Sequence, residues 1–195
     1  MGNTSRKKKQ AATAIAGLPL KKNQTVELVI EDLSHEGNGV GRYQGYTLFV
    51  PGALPGETII AKATKLKKQF GYARLMEIRE PAASRAEPPC PIYKRCGGCM
   101  LQHMDYDAQL AFKRKLVEEN LRRIGKIEGA LIHPTIGMED PWRYRNKAQV
   151  PIGEEEGGLI GGFYAQRSHE IIDMKECLIQ HEKSDEVVAR VKEIA

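Results

Sequence analysis

The sequence predicts an α+β protein: a small five-stranded β-barrel followed by a separate α/β segment that carries a four-cysteine site. Three observations predict it. Five short runs of alternating apolar residues fall between positions 24 and 80, a proline-rich stretch occupies 80–91, and a cysteine cluster begins where that stretch ends. The 195 residues are 41% hydrophobic and 28% charged, the balance of a soluble globular chain of one or two domains. No apolar run approaches the ~18 residues of a membrane span. The first 20 residues lack the continuous apolar core of a secretory signal. A cytosolic protein with no membrane partner, acting as a monomer, is the expectation.

The barrel is read from period two. Val26, Leu28 and Ile30 alternate with polar neighbours over Gln24–Ile30, as in a strand with one face in water. A second strand is expected around Tyr43, separated by Gln44-Gly45 from a third at Tyr46–Val50. The fourth and fifth are expected at Thr58–Ala63 and Tyr72–Ile78, with turns at Gly37–Gly41, Pro51–Gly56 and Lys67–Gly71. Glycine and proline interrupt this stretch too often for a helix of ordinary length, so 23–80 reads as an all-β domain.

Pro81, Pro88, Pro89 and Pro91 remove amide donors and disfavour helix, which makes 80–91 a linker. In the domain 81–195, Asp105 or Asp107 can cap a helix whose Leu110, Val117, Leu121 and Ile124 form one stripe and which Gly125 ends. Strands are expected at Tyr144–Ile152, Leu159–Tyr164 and His169–Asp173, the first two joined by a turn at Glu154–Gly158. A last helix over Ser184–Ile194 places Val187, Val188, Val191 and Ile194 at helical spacing. The sequence then stops without a cap or a tail, so this domain is expected to be incomplete.

The formal charge of +5 is uneven. Residues 1–22 hold Arg6, Lys7, Lys8, Lys9, Lys21 and Lys22 and no acid, a flexible basic arm on a nearly neutral body. Like-charge runs of this kind are drawn to polyanions, nucleic acid first, or serve as solvated termini.

The four cysteines are Cys90, Cys96, Cys99 and Cys177, three within ten residues and one far along the chain. Thiols stay reduced in the cytosol, so this spacing reads as a metal site before disulfides. Zinc accepts four thiolates but usually takes them as two close pairs. Three near ligands and one distant ligand match iron–sulfur proteins better. His103 and His181, each four residues after a cysteine, keep a mixed zinc site in view. Gly97 and Gly98 allow a tight turn that brings backbone amides near sulfur. A site joining 90–99 to 177 would cross-link the domain, since metal-binding energy becomes folding energy. In the barrel, Arg42, Lys62, Lys65, Lys67, Lys68 and Arg74 are interleaved with Tyr43, Tyr46, Phe49, Phe70 and Tyr72, a pattern suited to stacking bases while tracking phosphates. Half of those rings must fill the core, which leaves Lys67, Lys68, Phe70 and Tyr72 as the candidate RNA contacts. Trp142-Arg143-Tyr144-Arg145-Asn146-Lys147 is similarly basic and aromatic, and adds Arg143 and Arg145; an edge strand with charged outward positions is the competing reading.

Gly37-Asn38-Gly39-Val40-Gly41-Arg42, Phe49-Val50-Pro51-Gly52-Ala53-Leu54-Pro55-Gly56-Glu57 and Phe70-Gly71-Tyr72-Ala73 resemble a TRAM domain, an RNA-binding OB-like barrel. The cysteine motif with Leu101-Gln102-His103, Tyr144-Arg145-Asn146-Lys147-Ala148, Gly162-Phe163-Tyr164 and Ser168-His169 resembles the central domain of the bacterial 23S rRNA uracil-5-methyltransferase family. The resemblance implies that Cys90, Cys96, Cys99 and Cys177 ligate a 4Fe-4S cluster and that the partner is a single-stranded or loop segment of 23S rRNA. It implies S-adenosylmethionine as the methyl donor of the full-length family, bound by a C-terminal methyltransferase domain that this chain lacks. The family's chemistry adds a free cysteine thiolate to carbon 6 of uracil. Because all four cysteines here are assigned to the cluster, the chain is expected to contain no catalytic residue and to be inactive alone. The rival expectation is a stand-alone RNA-binding module with a structural zinc or a redox-sensing cluster.

Overall fold

A computed structural model describes residues 17–194 of the chain, so Arg6, Lys7, Lys8 and Lys9 of the expected basic arm lie outside the described residues. The chain divides into two compact units, one running to Ser34 and resuming over Asn38–Pro81, the other comprising His35–Gly37 and the residues from Ala82 on. Among the described residues, no helix is long and apolar enough to cross a membrane.

The first unit is a closed barrel of β1 (Thr25–Leu33), β2 (Gly39–Tyr43), β3 (Tyr46–Val50), β4 (Thr58–Leu66) and β5 (Phe70–Glu80), paired in the order β1-β2-β3-β5-β4. β3 and β5 run parallel, and the other pairs are antiparallel. The alternation read from the sequence is the burial pattern observed. Val26, Leu28, Ile30, Tyr46, Leu48, Val50, Ile59, Ala61, Ala63 and Ala73 point inward and form the core. Glu57 is also fully buried, and its carboxylate accepts a hydrogen bond from the Leu54 amide at 2.8 Å, closing the Pro51–Gly56 turn.

β2 and β5 begin earlier than expected, inside segments read as turns. The reason is steric. A Cβ on Gly41 would collide with the Leu28 side chain and the Val29 carbonyl, so this glycine serves a close approach inside a narrow barrel rather than a bend.

The second unit opens with residues read as a linker, but they pair back onto the chain. Ala86 N–H donates to the His103 carbonyl, Asp105 N–H donates to the Ser84 carbonyl, and Arg85 bridges Met104. Helix α1 (Tyr106–Arg123) starts at Asp105, whose carboxylate accepts from the Ala108 amide. Its expected apolar stripe does not become a core, since no residue of α1 is buried. Strands β6 (Ile152–Glu155), β7 (Gly158–Tyr164) and β8 (Ile171–Asp173) form an antiparallel sheet in chain order, and α2 (Glu182–Ile194) follows. Of the four valine and isoleucine positions expected to line α2, Val188 is buried, near Gly161 of β7, while Val187, Val191 and Ile194 are exposed. The strand expected over Tyr144–Ile152 does not form: β6 shares only Ile152 with it and runs into the Glu154–Gly158 segment expected as a turn, while the backbone of 143–145 bonds instead to the 178–181 loop.

Candidate functional site

Two groups of side chains stand out, one on each unit. On the barrel, alternation turns Phe49 outward between buried Leu48 and Val50, and turns Phe70 and Tyr72 outward on either side of buried Gly71. The parallel β3–β5 register sets Phe49 opposite Tyr72 and Thr47 opposite Phe70. The three rings make one half-exposed cluster: Phe49 lies 5.6 Å from Phe70 and 5.7 Å from Tyr72, and Phe70 lies 5.9 Å from Tyr72. Lys67 Nζ sits 4.9 Å from the centre of the Phe70 ring, a cation–π contact. The Lys67–Phe70 turn is tied by the Lys67 N–H to the Phe70 carbonyl at 2.8 Å, and the Tyr46 hydroxyl donates to the Lys67 carbonyl at 2.6 Å. Lys67 and Lys68 are exposed beside the rings. Sequence reasoning passed over Phe49, although the inward positions of Tyr46, Leu48 and Val50 already placed it on the outer face.

In the second unit the four cysteines meet. Cys90, Cys96, Cys99 and Cys177 line one cavity of about 380 Å³, part of it open to solvent, whose walls include Ile92, Phe163, Met174 and Ile179. Successive turns place the first three: Tyr93 N–H donates to the Cys90 carbonyl and Cys96 N–H to the Ile92 carbonyl. Gly97 then lies against the end of β7, its N–H 2.9 Å from the Tyr164 carbonyl; a Cβ there would stand 2.7 Å from that same oxygen. The Gly98 N–H donates to the Cys96 sulfur at 3.3 Å, the amide-to-sulfur contact that the glycines were expected to allow.

Burial pushes the Cys96 thiol up, with Cys90 and Cys177 adding to the rise and the Gly98 amide opposing it. Burial also pushes the Cys99 thiol up, a Gln102 hydrogen bond opposes it, and Cys177, Cys96 and Cys90 reinforce it. Cys96 and Cys99 thus both feel the other cysteines electrostatically. Beside them, Tyr93 donates to the Met100 carbonyl at 2.8 Å and lies 2.5 Å from His103 Nδ1, and burial pushes its phenol up to about 12. His103 is thus a buried partner of Tyr93. His181, the other histidine kept in view for zinc, accepts from the Lys183 amide through Nδ1. As the side chains stand, no group of three or more His, Cys, Asp or Glu among the described residues could hold a metal ion. The expected iron–sulfur site therefore has its four cysteines on one cavity wall but not in a ligating arrangement.

Arg143 and Arg145, expected at RNA, border the Cys177 loop. The Arg143 guanidinium is committed to Asp185 at 2.7 Å, Glu176 at 3.1 Å and the Cys177 carbonyl at 2.9 Å. Arg145 pairs through its backbone with Ile179 and His181.

The TRAM domain family matches residues 19–76, the barrel. An uncharacterized RNA methyltransferase of Halalkalibacterium halodurans is 58% identical over 177 residues, covering 91% of this chain and 39% of the relative. One from Listeria innocua is 59% identical over 175 residues, covering 90% of this chain and 38% of the relative. The barrel thus matches the TRAM domain family, and nine tenths of the chain is similar to proteins named RNA methyltransferase. The crystal structure of the Pyrococcus abyssi tRNA (uracil-54, C5)-methyltransferase, in complex with S-adenosyl-L-homocysteine, superposes with a TM-score of 0.56 at 28% identity, over 86% of this chain and 36% of that one. The chain thus spans less than two fifths of the length of the relatives it matches.

Proposed function

We propose that this chain is the RNA-binding, iron–sulfur-carrying portion of an S-adenosylmethionine-dependent enzyme that methylates carbon 5 of a uracil in 23S rRNA. The observation that carries the proposal is the convergence of Cys90, Cys96, Cys99 and Cys177 on one cavity in a chain similar over nine tenths of its length to a protein named RNA methyltransferase. The barrel supplies a stacking and phosphate-tracking face in Phe49, Phe70, Tyr72, Lys67 and Lys68.

The donor set fits a 4Fe-4S cluster. Tetrahedral zinc with bonds of about 2.3 Å draws its four sulfurs to within roughly 4 Å of one another. A 4Fe-4S cluster instead takes four cysteine thiolates, each on a different iron, and the spacing of three near cysteines and one distant one matches that habit. The Gly98 amide suits thiolate sulfur, and positive metal charge would offset the upward pressure that burial puts on Cys96 and Cys99. The cluster would supply a cross-link between 90–99 and 177, with the cysteines as its ligands. With those thiols committed, the nucleophile for carbon 6 of uracil, and the S-adenosylmethionine site, belong to the three fifths of the relatives' length that this chain does not cover.

Anaerobic purification tests the reading. Brown protein with about four irons per chain, lost together when Cys177→Ser is introduced, is expected. One colourless zinc per chain would instead favour the stand-alone binding module.

A further inference from the structure

Cys99 and Cys177 are separated by 77 residues, so the fourth thiol reaches the cavity only if the loop that carries it is held in place. That loop is short, Glu176 to His181, and both backbone polar groups of Cys177 are taken. Its N–H donates to Asp185 Oδ1 at 3.0 Å, and its carbonyl accepts from the Arg143 guanidinium at 2.9 Å. Arg143 and Asp185 are themselves an ion pair at 2.7 Å, with 28% and 12% of their side chains exposed. Around that pair the loop closes. Gln180, fully buried, donates its side-chain amide to Asp185 Oδ1, its carbonyl accepts from Arg143 at 3.3 Å, and Glu176 meets the other guanidinium nitrogen at 3.1 Å.

The backbone of Arg143 is committed as well. Its N–H donates to the Leu178 carbonyl, and its φ of 54° lies in a region that non-glycine residues rarely enter. A guanidinium suits this position because it carries several donors in one rigid plane, enough for a carbonyl of the loop and two carboxylates together. An ammonium at the same place would supply charge without the fork.

We propose that Arg143 and Asp185 form a positioning clamp that fixes the Cys177 thiol at the shared cavity before any metal arrives. The role in metal capture rests on the cluster reading, whereas the clamp itself is a property of the bare chain. Arg143 acts through Cys177 and belongs to the cysteine site.

The test uses the full chain, stripped of metal under reducing, anaerobic conditions. Alkylation by iodoacetamide is followed separately at each cysteine by peptide mass spectrometry. Arg143→Gln and Asp185→Asn should each speed alkylation of Cys177 by about tenfold relative to Cys90, Cys96 and Cys99, with Arg143→Lys falling between variant and wild type. No selective rise at Cys177, or an equal rise at all four cysteines, overturns the clamp. After reconstitution with ferrous iron and sulfide, the Arg143→Gln protein should lose iron to a chelator about tenfold faster than wild type, and equal loss rates also overturn it. A wild-type chain that takes up no iron defeats the cluster reading, while the alkylation pattern still decides the clamp.

Discussion

Replacing Lys67 and Lys68 together by glutamine should change how RNA affinity depends on salt more than it changes the fold. Both side chains are exposed, and the turn that carries them is held by backbone and Tyr46 bonds that glutamine leaves intact. For a single strand, each phosphate neutralised contributes about 0.7 to the slope of log affinity against log salt, so two lost contacts should flatten it by roughly 1.4. Between 50 and 200 mM salt, the affinity gap between wild type and variant should then shrink by roughly sevenfold. Fluorescence anisotropy with a labelled single-stranded rRNA oligonucleotide across that salt range reads both quantities. Phe49→Leu and Phe70→Leu provide the counterpart: each should cost about 1–3 kcal/mol of binding while leaving the slope unchanged. An unaltered slope in the double lysine variant, with normal secondary structure by circular dichroism, would refute the assignment of this face.

Other outcomes follow from buried contacts. Glu57→Ala leaves the Leu54 amide without its buried carboxylate and should lower barrel stability by about 2 kcal/mol in a urea titration; a change under about 0.5 kcal/mol would contradict that account. Gly97→Ala places a methyl against the Tyr164 carbonyl and should reduce the iron retained after reconstitution without unfolding the barrel, so full iron loading in this variant would argue against the close approach. Burial alone would raise the Asp173 carboxyl, but Lys192 at 2.7 Å and the Gly161 amide outweigh it and hold the group below its usual range. Its folded-state value is therefore the lower one, and its contribution is present above the ordinary carboxylate range and lost as pH falls through the folded value. The stability difference between wild type and Asp173→Asn, measured by urea midpoints, should accordingly be present at pH 7 and narrow in strong acid. A gap independent of pH would mean that the Lys192 pair contributes nothing.

The barrel was legible because inward and outward positions alternate along each strand and because glycine and proline punctuate the runs. Its ends were less legible. Gly39, Gly41 and Gly71 look like turn residues in the sequence, yet they occupy strands where a neighbouring backbone or side chain leaves no room for Cβ. The four-cysteine set was visible in spacing alone, and the cavity they share was not, because it depends on turns at 90–96 and on a loop far along the chain. Arg143 shows the limit of local reading. A basic residue among aromatics suggests RNA, but its partners are 33 to 42 residues away and belong to a loop whose position no local pattern announces. The stripe on α1 misled for the related reason that amphipathic spacing says which side would be covered, not whether anything among the described residues covers it.

The spacing of the aromatic trio limits how a nucleotide can engage it. A base sandwiched between two rings needs parallel planes two stacking steps apart, roughly 7 Å. Phe49 and Tyr72 stand 5.7 Å apart and are inclined at 36°, while Phe70 meets both nearly edge-on. No slot lies between them for intercalation, so bases stacking on this face as proposed would rest on the outer surface of the trio as on a paved floor. A floor of that kind would grip any base by its flat side and leave the choice of letter to residues outside the trio.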